Sequence, residues 1–203
     1  MSKITIQVNQ EGDGRETIAA IHSAIAGTRR AALMRVLGKT HERTLQDHFR
    51  AKNRAPNKRN WPKQNFWAQV ARATAFTSAK QNKATIAIAD PRFATHLYGA
   101  TITPKRSKYL AIPMRREAYG IRPSSGLIAD LFFIRSQAAK GGFLAKREGG
   151  ALRVYYRLLK RVVVPTDPEA LPDENSSIEA LAQAATSFIS REAQRAKANG
   201  GAN

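Results

Sequence analysis

Apolar positions recur along the chain with two periods, and each period predicts a type of element. Alternation of apolar and polar side chains predicts a strand over Ser2–Val8. Apolar steps of three and four over Arg15–Arg50 predict a long amphipathic helix with a break near Gly27. The same spacing predicts helices over Phe66–Phe76 and Ser176–Lys197.

Three further segments have the length and composition of strands. They are Lys83–Asp90, Leu127–Ile134 and Leu152–Leu158. The second is an almost continuous apolar run, which predicts burial on both faces. In the third, alternation predicts that Tyr156 faces inward and Tyr155 faces outward. Two glycine pairs in Lys140–Gly150 predict a flexible loop between the last two strands.

In the middle of the chain, Tyr98–Met114 has the pattern of a β-hairpin. The apolar runs Ala100–Thr103 and Tyr109–Ile112 flank the polar turn Pro104–Lys108. Pro113 withholds a backbone donor, so the second arm is expected to end there or to lie at a sheet edge. The sequence therefore predicts a hairpin with a positive tip, formed by Lys105, Arg106 and Lys108.

These elements predict an α+β fold, in which a twisted antiparallel sheet with a projecting hairpin is flanked by a long N-terminal helix and a C-terminal helix. A single domain is expected over residues 1–197, with an acidic proline-rich loop at 165–175 and a flexible tail at 198–203. After the acidic loop, Ser176 and Glu179 form the capping-box pattern of a helix start.

Charge changes this picture, because Lys and Arg outnumber Asp and Glu by 19. Such a chain is expected to meet a polyanion, with nucleic acid as the first candidate, or an acidic protein surface. The absence of cysteine excludes disulfides, thiol catalysis and Cys-ligated metal. No apolar run is long enough to predict a membrane span, and Met1–Gln10 has no signal-peptide core.

The segment Ala51–Lys63 is basic, contains no acidic residue and is followed by Phe66 and Trp67. Mixed cations and aromatic rings suit nucleic acid, because rings stack on bases while cations meet phosphates. The alternative, which the helical spacing after Phe66 favours, is that the rings begin a core face and the cations are only solvated. The candidate nucleic-acid contacts are Lys52, Arg54, Lys58, Arg59, Trp61 and Lys63.

No pattern in the sequence predicts catalysis. There is no Walker phosphate loop, no complete dinucleotide fingerprint, and no serine set between nucleophile-elbow glycines. His41 and His48 share a predicted helix face, but no carboxylate or thiol lies one turn away on it, so no metal site is expected. Acidic residues are too sparse for the Mg²⁺ site of a nuclease. The sequence predicts a binding or structural protein, with no cofactor, rather than an enzyme.

The segment Tyr98–Ile102, together with Pro104-Lys105 and Leu110–Pro113, resembles the virion-morphogenesis, or tail-completion, proteins of tailed phages. Pro56–Lys58 is similar to a stretch found in a subgroup of that family. The order of elements also resembles the family, from a long N-terminal helix and a basic aromatic loop to a closing helix. The chain departs from it at the acidic loop Pro165–Asn175, where family members often have Ala-Arg-Pro-Phe.

The resemblance implies a structural virion protein of the head–tail neck, acting as a tail-completion or tail-terminator subunit and assembled in the host cytoplasm. It also implies a homo-oligomeric ring, with six subunits expected, that contacts connector and tail-tube proteins and no membrane. The candidate subunit or partner contacts are Lys105, Arg106, Lys108, Tyr109, Asp167, Glu169, Asp173 and Glu174. The alternative is a sequence-independent DNA-binding protein acting in DNA packaging or head assembly, which the charge favours.

Overall fold

A computed structural model of the protein describes residues 18–19, 21–22, 25–56, 61–136 and 141–200. The predicted strand Ser2–Val8 lies outside these residues. The helices are α1 (Gly27–Arg54), α2 (Phe66–Arg72), α3 (Pro91–Tyr98) and α4 (Glu174–Gly200). The strands are β1 (Thr74–Lys80), β2 (Lys83–Ile88), β3 (Ala100–Ile102), β4 (Leu110–Pro113), β5 (Phe132–Arg135), β6 (Gly142–Glu148), β7 (Ala151–Leu159) and β8 (Val162–Val164).

The fold is α+β, as predicted, with antiparallel sheets, a long N-terminal helix and a C-terminal helix. In the described part of the chain the strands form three sheets instead of one: β1 with β2, β3 with β8, and a four-stranded sheet in the order β4-β7-β6-β5. No helix within the described ranges combines the length and the apolar character needed to cross a bilayer.

The chain divides into two compact units, each assembled from separated stretches. Unit 1 comprises the described residues of 1–52, 67–90 and 171–203, and therefore holds α1, β1, β2 and α4. Unit 2 comprises those of 53–66 and 91–170, and holds the other two sheets. The single domain expected over residues 1–197 stays a prediction.

Helix α1 packs in unit 1 through the apolar stripe that its sequence predicts. Leu33 and Leu45 on this stripe are buried, and Phe49, one turn after Leu45, is buried as well. The described residues from 18 to 25 are helical as well, and the predicted break is confirmed, because the helix is interrupted just before Gly27, whose φ is 53°. Helix α1 then continues to Arg54, about one turn beyond the predicted end.

Polar side chains of α1 bind the edge of strand β1. Glu42 accepts a hydrogen bond from the backbone N–H of Phe76 at 3.0 Å, and the Gln46 amide donates to the carbonyl of Thr74 at 2.9 Å. A two-stranded sheet alone is marginally stable and leaves edge groups unpaired, so these bonds support the β1–β2 hairpin. Hydrogen bonds from Lys39 and from the Phe76 N–H hold the pKa of Glu42 below its ordinary value.

The predicted helix Phe66–Phe76 is too long, because α2 ends four residues earlier and strand β1 begins at Thr74. Thr74 is buried, and its hydroxyl donates to the Val70 carbonyl at 2.9 Å, at the point where the helix stops. Phe76 then packs on α1 at Gly38, where a Cβ atom would lie 2.6 Å from the phenyl ring. Glycine at that position therefore lets the helix approach the strand closely.

In unit 2, the predicted hairpin at Tyr98–Met114 is wrong, because its two arms do not pair with each other. Strand β3 pairs with β8 and β4 pairs with β7, both antiparallel. Ala100 lies opposite Val164 and Pro113 lies opposite Tyr156, so both arms run in the same direction along one partner segment. An apolar–polar–apolar pattern fits an interrupted strand as well as it fits a hairpin, and here the apolar partner segment pairs with both arms.

The four-stranded sheet of unit 2 corrects two further predictions. The glycine-rich segment Lys140–Gly150 is not a loop throughout, because β6 occupies most of it. The apolar run Leu127–Ile134 is not a doubly buried strand. Only its last residues enter β5, which lies at the edge of the sheet and leaves Phe132 and Phe133 39% and 50% exposed.

Strand β7 is confirmed, while its predicted alternation holds only in part. Tyr156 is buried as expected, but Tyr155 is buried as well and Leu152 is 54% exposed. The register between β6 and β7 shifts between Leu144 and Ala145, which leaves Tyr155 without a partner residue on β6. Such a bulge interrupts the two-residue period, so two consecutive tyrosines are both buried.

Gly142 at the start of β6 allows a close approach inside this sheet. A Cβ atom at this position would lie 2.4 Å from the carbonyl oxygen of Ile134 and 2.5 Å from the phenyl ring of Phe133. The ring of Phe133 therefore occupies the space over β6 that a side chain would fill.

Helix α4 begins with a cap that differs from the predicted one. The Asp173 carboxylate accepts a hydrogen bond from the backbone N–H of Ser176 at 3.0 Å, so Asp173 rather than Ser176 is the N-cap residue. The Ser176 hydroxyl donates instead to the carbonyl of Asp173 at 2.9 Å. At the other end, residues 198–200, predicted to belong to a flexible tail, are helical.

We expect Gly142→Ala to destabilise the protein by about 1–3 kcal/mol, because the methyl group overlaps both a backbone carbonyl and a phenyl ring. Thermal unfolding followed by circular dichroism measures the effect. Gly149→Ala is the control, since nothing lies within 4 Å of its Cβ position and only its φ of 57° is strained. The strained φ of Gly149 costs about 1–2 kcal/mol in that variant, whereas Gly142 has no such strain, so a Gly142→Ala variant as stable as wild type would contradict the close approach.

Candidate functional site

Residues 103–109 connect β3 to β4 and pair with no described strand. The partner segment, β7 followed by β8, is interrupted opposite them. Lys160 and Arg161 lie between β7 and β8, because Leu159 pairs with β4 and Val162 pairs with β3. The register thus brings two basic stretches to one interruption, although about fifty residues separate them in sequence. We call this region the basic interruption.

Five exposed cations belong to the basic interruption. They are Lys105, Arg106, Lys108, Lys160 and Arg161. None of them forms a salt bridge with a carboxylate in the part of the chain that the structure describes. Uncompensated charges brought together on one surface attract a polyanion or an acidic protein surface.

An aromatic pair borders the basic interruption. The rings of Tyr109 and Phe133 are stacked, with centroids 6.5 Å apart and an interplanar angle of 18°. The Lys108 ammonium lies 5.8 Å from the Tyr109 centroid. Tyr109 precedes β4 and Phe133 belongs to β5, at the two outer strands of the sheet, and the missing side chain at Gly142 leaves room over β6 for Phe133.

A second feature of unit 2 is an open groove of about 520 Å³. It is lined by Trp61, Met114, Arg115, Arg116, Glu117 and Val154. Arg115 is fixed there, because its Nε–H donates to the Val154 carbonyl at 3.2 Å and its guanidinium lies 5.7 Å from the Tyr155 centroid. Trp61 packs edge-on against Tyr119 at 5.2 Å. The groove presents an indole and guanidinium groups, which suit a flat or anionic group.

Beneath Arg115, a polar cluster holds Tyr155 in place. The Tyr155 hydroxyl donates to the Glu148 carboxylate at 2.5 Å, and Arg153 lies 3.3 Å from the same carboxylate. The hydrogen bond from Tyr155, with the charges of nearby Arg and Lys residues, holds the pKa of Glu148 below its ordinary value. The same bond raises the pKa of Tyr155, so the hydroxyl keeps its proton and remains the donor.

The predicted nucleic-acid contacts in the segment 52–63 have different local contacts where the structure describes them, and their role in binding nucleic acid stays a prediction. The Lys52 ammonium lies 4.7 Å from the Trp67 centroid, and Lys63 donates to the Arg54 carbonyl at 2.5 Å, at the end of α1. A cation near the last carbonyls of a helix stabilises that end. Lys58 and Arg59 lie outside the described residues, and Trp61 lines the groove.

The predicted acidic contacts belong to different units and have structural roles of their own. In unit 2, the Asp167 N–H donates to the His96 carbonyl at 2.8 Å, and its carboxylate accepts from the Glu169 N–H at 3.0 Å. In unit 1, Asp173 caps α4, and Glu174 is exposed in the first turn of that helix. The sequence-based assignment of these residues to partner contacts stays a prediction.

Four residues of these surfaces cannot be identified from local sequence patterns. Lys160 and Arg161 follow a strand and look like ordinary surface cations, because their neighbours across the ladder are distant in sequence. Phe133 lies in an apolar run that predicts burial, and Arg115 opens a segment without periodicity. The Lys-Arg pair between two apolar strand segments is the signal that could have indicated an interruption.

The histidines and acids of the described residues offer no metal centre, since no three His, Asp or Glu side chains gather closely enough to hold an ion there. His41 has a buried Nδ1 atom without a hydrogen-bond partner in the described part of the chain, and burial lowers its pKa. A lowered pKa keeps this imidazole neutral within the apolar side of α1.

Comparison of the chain with protein-family models, with curated proteins and with solved structures gives no significant match.

We expect Glu148→Gln to remove a pH-dependent part of the stability. Because folding lowers the pKa of Glu148 from its ordinary value of 4.5, its contribution is present above that value and is lost as the pH falls through the lower folded-state pKa. The melting temperature of Glu148→Gln should therefore lie furthest below that of wild type at pH 7, and the two should converge as the pH falls to 3. Glu179→Gln, on the exposed side of α4, removes one negative charge in the same way and is the control for the change of charge alone.

Proposed function

We propose that the protein is a structural virion protein of a tailed phage, which assembles through unlike surfaces into a ring at the head–tail neck. The resemblance at Tyr98–Pro113 supports the phage assignment. The observation that carries the assembly role is the basic interruption, where the loop 103–109 leaves a ladder that is paired on both sides. Its exposed cations have no acidic partner among the residues that the structure describes. An exposed charged loop between two paired strands suits a contact with a neighbouring subunit.

Exposed apolar side chains give the assembly proposal independent support. Tyr98, Leu127 and Val163 are 75%, 76% and 67% exposed, and all three belong to unit 2. Val163 and Tyr98 lie in or beside the two-stranded β3–β8 sheet, whose outer edges pair with no strand in the described ranges. Large exposed apolar groups and open strand edges are typical of surfaces that partners cover.

Charge distribution supports a ring rather than a closed pair. A cyclic ring requires two different, complementary patches on each subunit. The basic interruption is one candidate patch, and the exposed carboxylate of Glu174 in the first turn of α4 offers an acidic group for another. The proposed role is non-catalytic, with no cofactor, and the location that goes with it is the virion.

Reversing the loop charges tests this proposal directly. We expect the triple variant Lys105→Glu, Arg106→Glu, Lys108→Glu to lose ring formation, because its loop would repel the acidic patch of the next subunit. Negative-stain electron microscopy and sedimentation velocity of purified protein measure the assembly. Arg72→Glu, Lys80→Glu, Lys83→Glu changes the net charge equally at exposed positions of unit 1, and rings should persist. Monodisperse wild-type monomers, or rings of the loop variant, would contradict the proposal.

A second candidate function is sequence-independent DNA binding. This function is favoured because the fold brings together five exposed cations from two stretches that are distant in sequence. None of the five has a carboxylate partner among the described residues. Phosphates repeat along a nucleic-acid backbone, so a cluster of cations can contact several of them at once, which an isolated surface lysine cannot do.

Salt dependence measures this second function. If all five cations of the basic interruption meet phosphates of duplex DNA, the logarithm of the association constant should fall against the logarithm of salt concentration with a slope of about −4.5. Lys160→Gln, Arg161→Gln should reduce the magnitude of that slope by about 2. Fluorescence anisotropy with a labelled duplex gives both slopes. A wild-type slope near zero, or an unchanged slope in the variant, would exclude this surface as the DNA contact.

A further inference from the structure

The aromatic pair beside the basic interruption, Tyr109 and Phe133, leaves an aromatic ring exposed to solvent. Phe133 keeps half of its surface in solvent although it stacks on Tyr109 and covers Gly142. Exposed apolar side chains that lie together are typical of surfaces that partners cover, and here two aromatic rings lie together. The partner has to suit a ring whose surroundings are strongly cationic.

The charges around the ring define that partner. From Leu97 to Met114 the chain has three cations, Lys105, Arg106 and Lys108, and no acidic residue. Lys108 lies at the ring of Tyr109, and Arg135 is an exposed cation two residues after Phe133, on the same face of β5. A ligand at this place therefore meets aromatic surface and positive charge together.

Nucleic acid with unpaired bases has both of the required groups. Its phosphates are bound by cations, and a base that is free of its complement can stack on an exposed ring. In a duplex the flat faces of the bases are covered by their neighbours, so a duplex can use the cations but not the ring. An acidic protein surface would likewise use only the cations.

We infer that this surface binds single-stranded nucleic acid, with a base stacked on Phe133 and the adjacent phosphates on Lys105, Arg106 and Lys108. The inference rests on the second candidate function, nucleic-acid binding, and adds the form of the ligand and the residue that recognises it. Gly142 contributes indirectly, because only a residue without a side chain leaves the ring its place.

The test compares three polyanions by fluorescence anisotropy at low salt: labelled oligothymidylate, a labelled duplex of mixed sequence, and heparin as a competitor without bases. Wild type should bind oligothymidylate more tightly than the duplex. Phe133→Leu should weaken oligothymidylate binding about 5- to 150-fold, the range for loss of one stacked base. Binding of the duplex and of heparin should not change, because the charges remain.

Phe132→Leu is the matched control. It makes the same substitution at the adjacent position of β5, whose side chain points to the other face of the sheet, and its residue is 39% exposed. It should leave all three affinities unchanged. Equal losses for Phe132→Leu and Phe133→Leu, or equal losses for oligothymidylate and heparin, would overturn the stacking role.

A second variant does not depend on comparing affinities. Phe133→Trp adds an indole at the site to the native Trp61 and Trp67, so oligothymidylate should quench more fluorescence in this variant than in wild type, and heparin should not. Equal quenching of the variant and wild type at saturating oligothymidylate would overturn the inference. If duplex and oligothymidylate bind equally and Phe133→Leu changes neither, the inference fails while the second candidate function stands. If none of the three polyanions binds, both fail, and the ring proposal remains to be judged by assembly alone.

Discussion

The architecture of unit 2 depends on one pairing: a single apolar segment, β7 followed by β8, provides the partner for both β4 and β3. On its other side, β7 also pairs with β6. A bulge in β7 at Tyr155 turns a second tyrosine ring into the core. On the neighbouring strand β6, the missing side chain of Gly142 leaves room for the ring of Phe133. The loop, the aromatic pair and the groove beside Arg115 are all positioned by this strand.

Acidic and basic residues have different functions in this protein. Several of the few acids are used within the fold: Glu42 binds the edge of β1, Glu148 holds Tyr155, and Asp173 caps α4. The buried Glu192 lies between Arg29 and Arg195 on α1 and α4. Glu42, Glu148 and Glu192 each form a salt bridge with nearby Lys or Arg side chains, so the net charge of +19 belongs to the remaining cations of the chain. This is the physical basis for expecting an acidic or polyanionic partner.

The sequence predicts elements well where local periodicity decides them and poorly where a distant partner does. The long helix, its break near Gly27 and the strands β2 and β7 follow from local patterns. The hairpin at 98–114 fails because its arms are matched to a segment some fifty residues away, and local spacing carries no information about that choice. The basic loop is therefore predictable from the sequence. Lys160, Arg161 and Phe133 are not, because only the pairing of distant strands brings them to the same surface.

The open ladder between β3 and β4 has a consequence for protein engineering. Because each flanking strand is held by its own hydrogen bonds to β8 or β7, the length of the loop between them does not set either register. A hairpin turn has the opposite property, since adding residues there shifts the pairing of both arms. A peptide epitope inserted between Arg106 and Ser107 would therefore be displayed outward on two anchored stems, with the sheet beneath it unchanged.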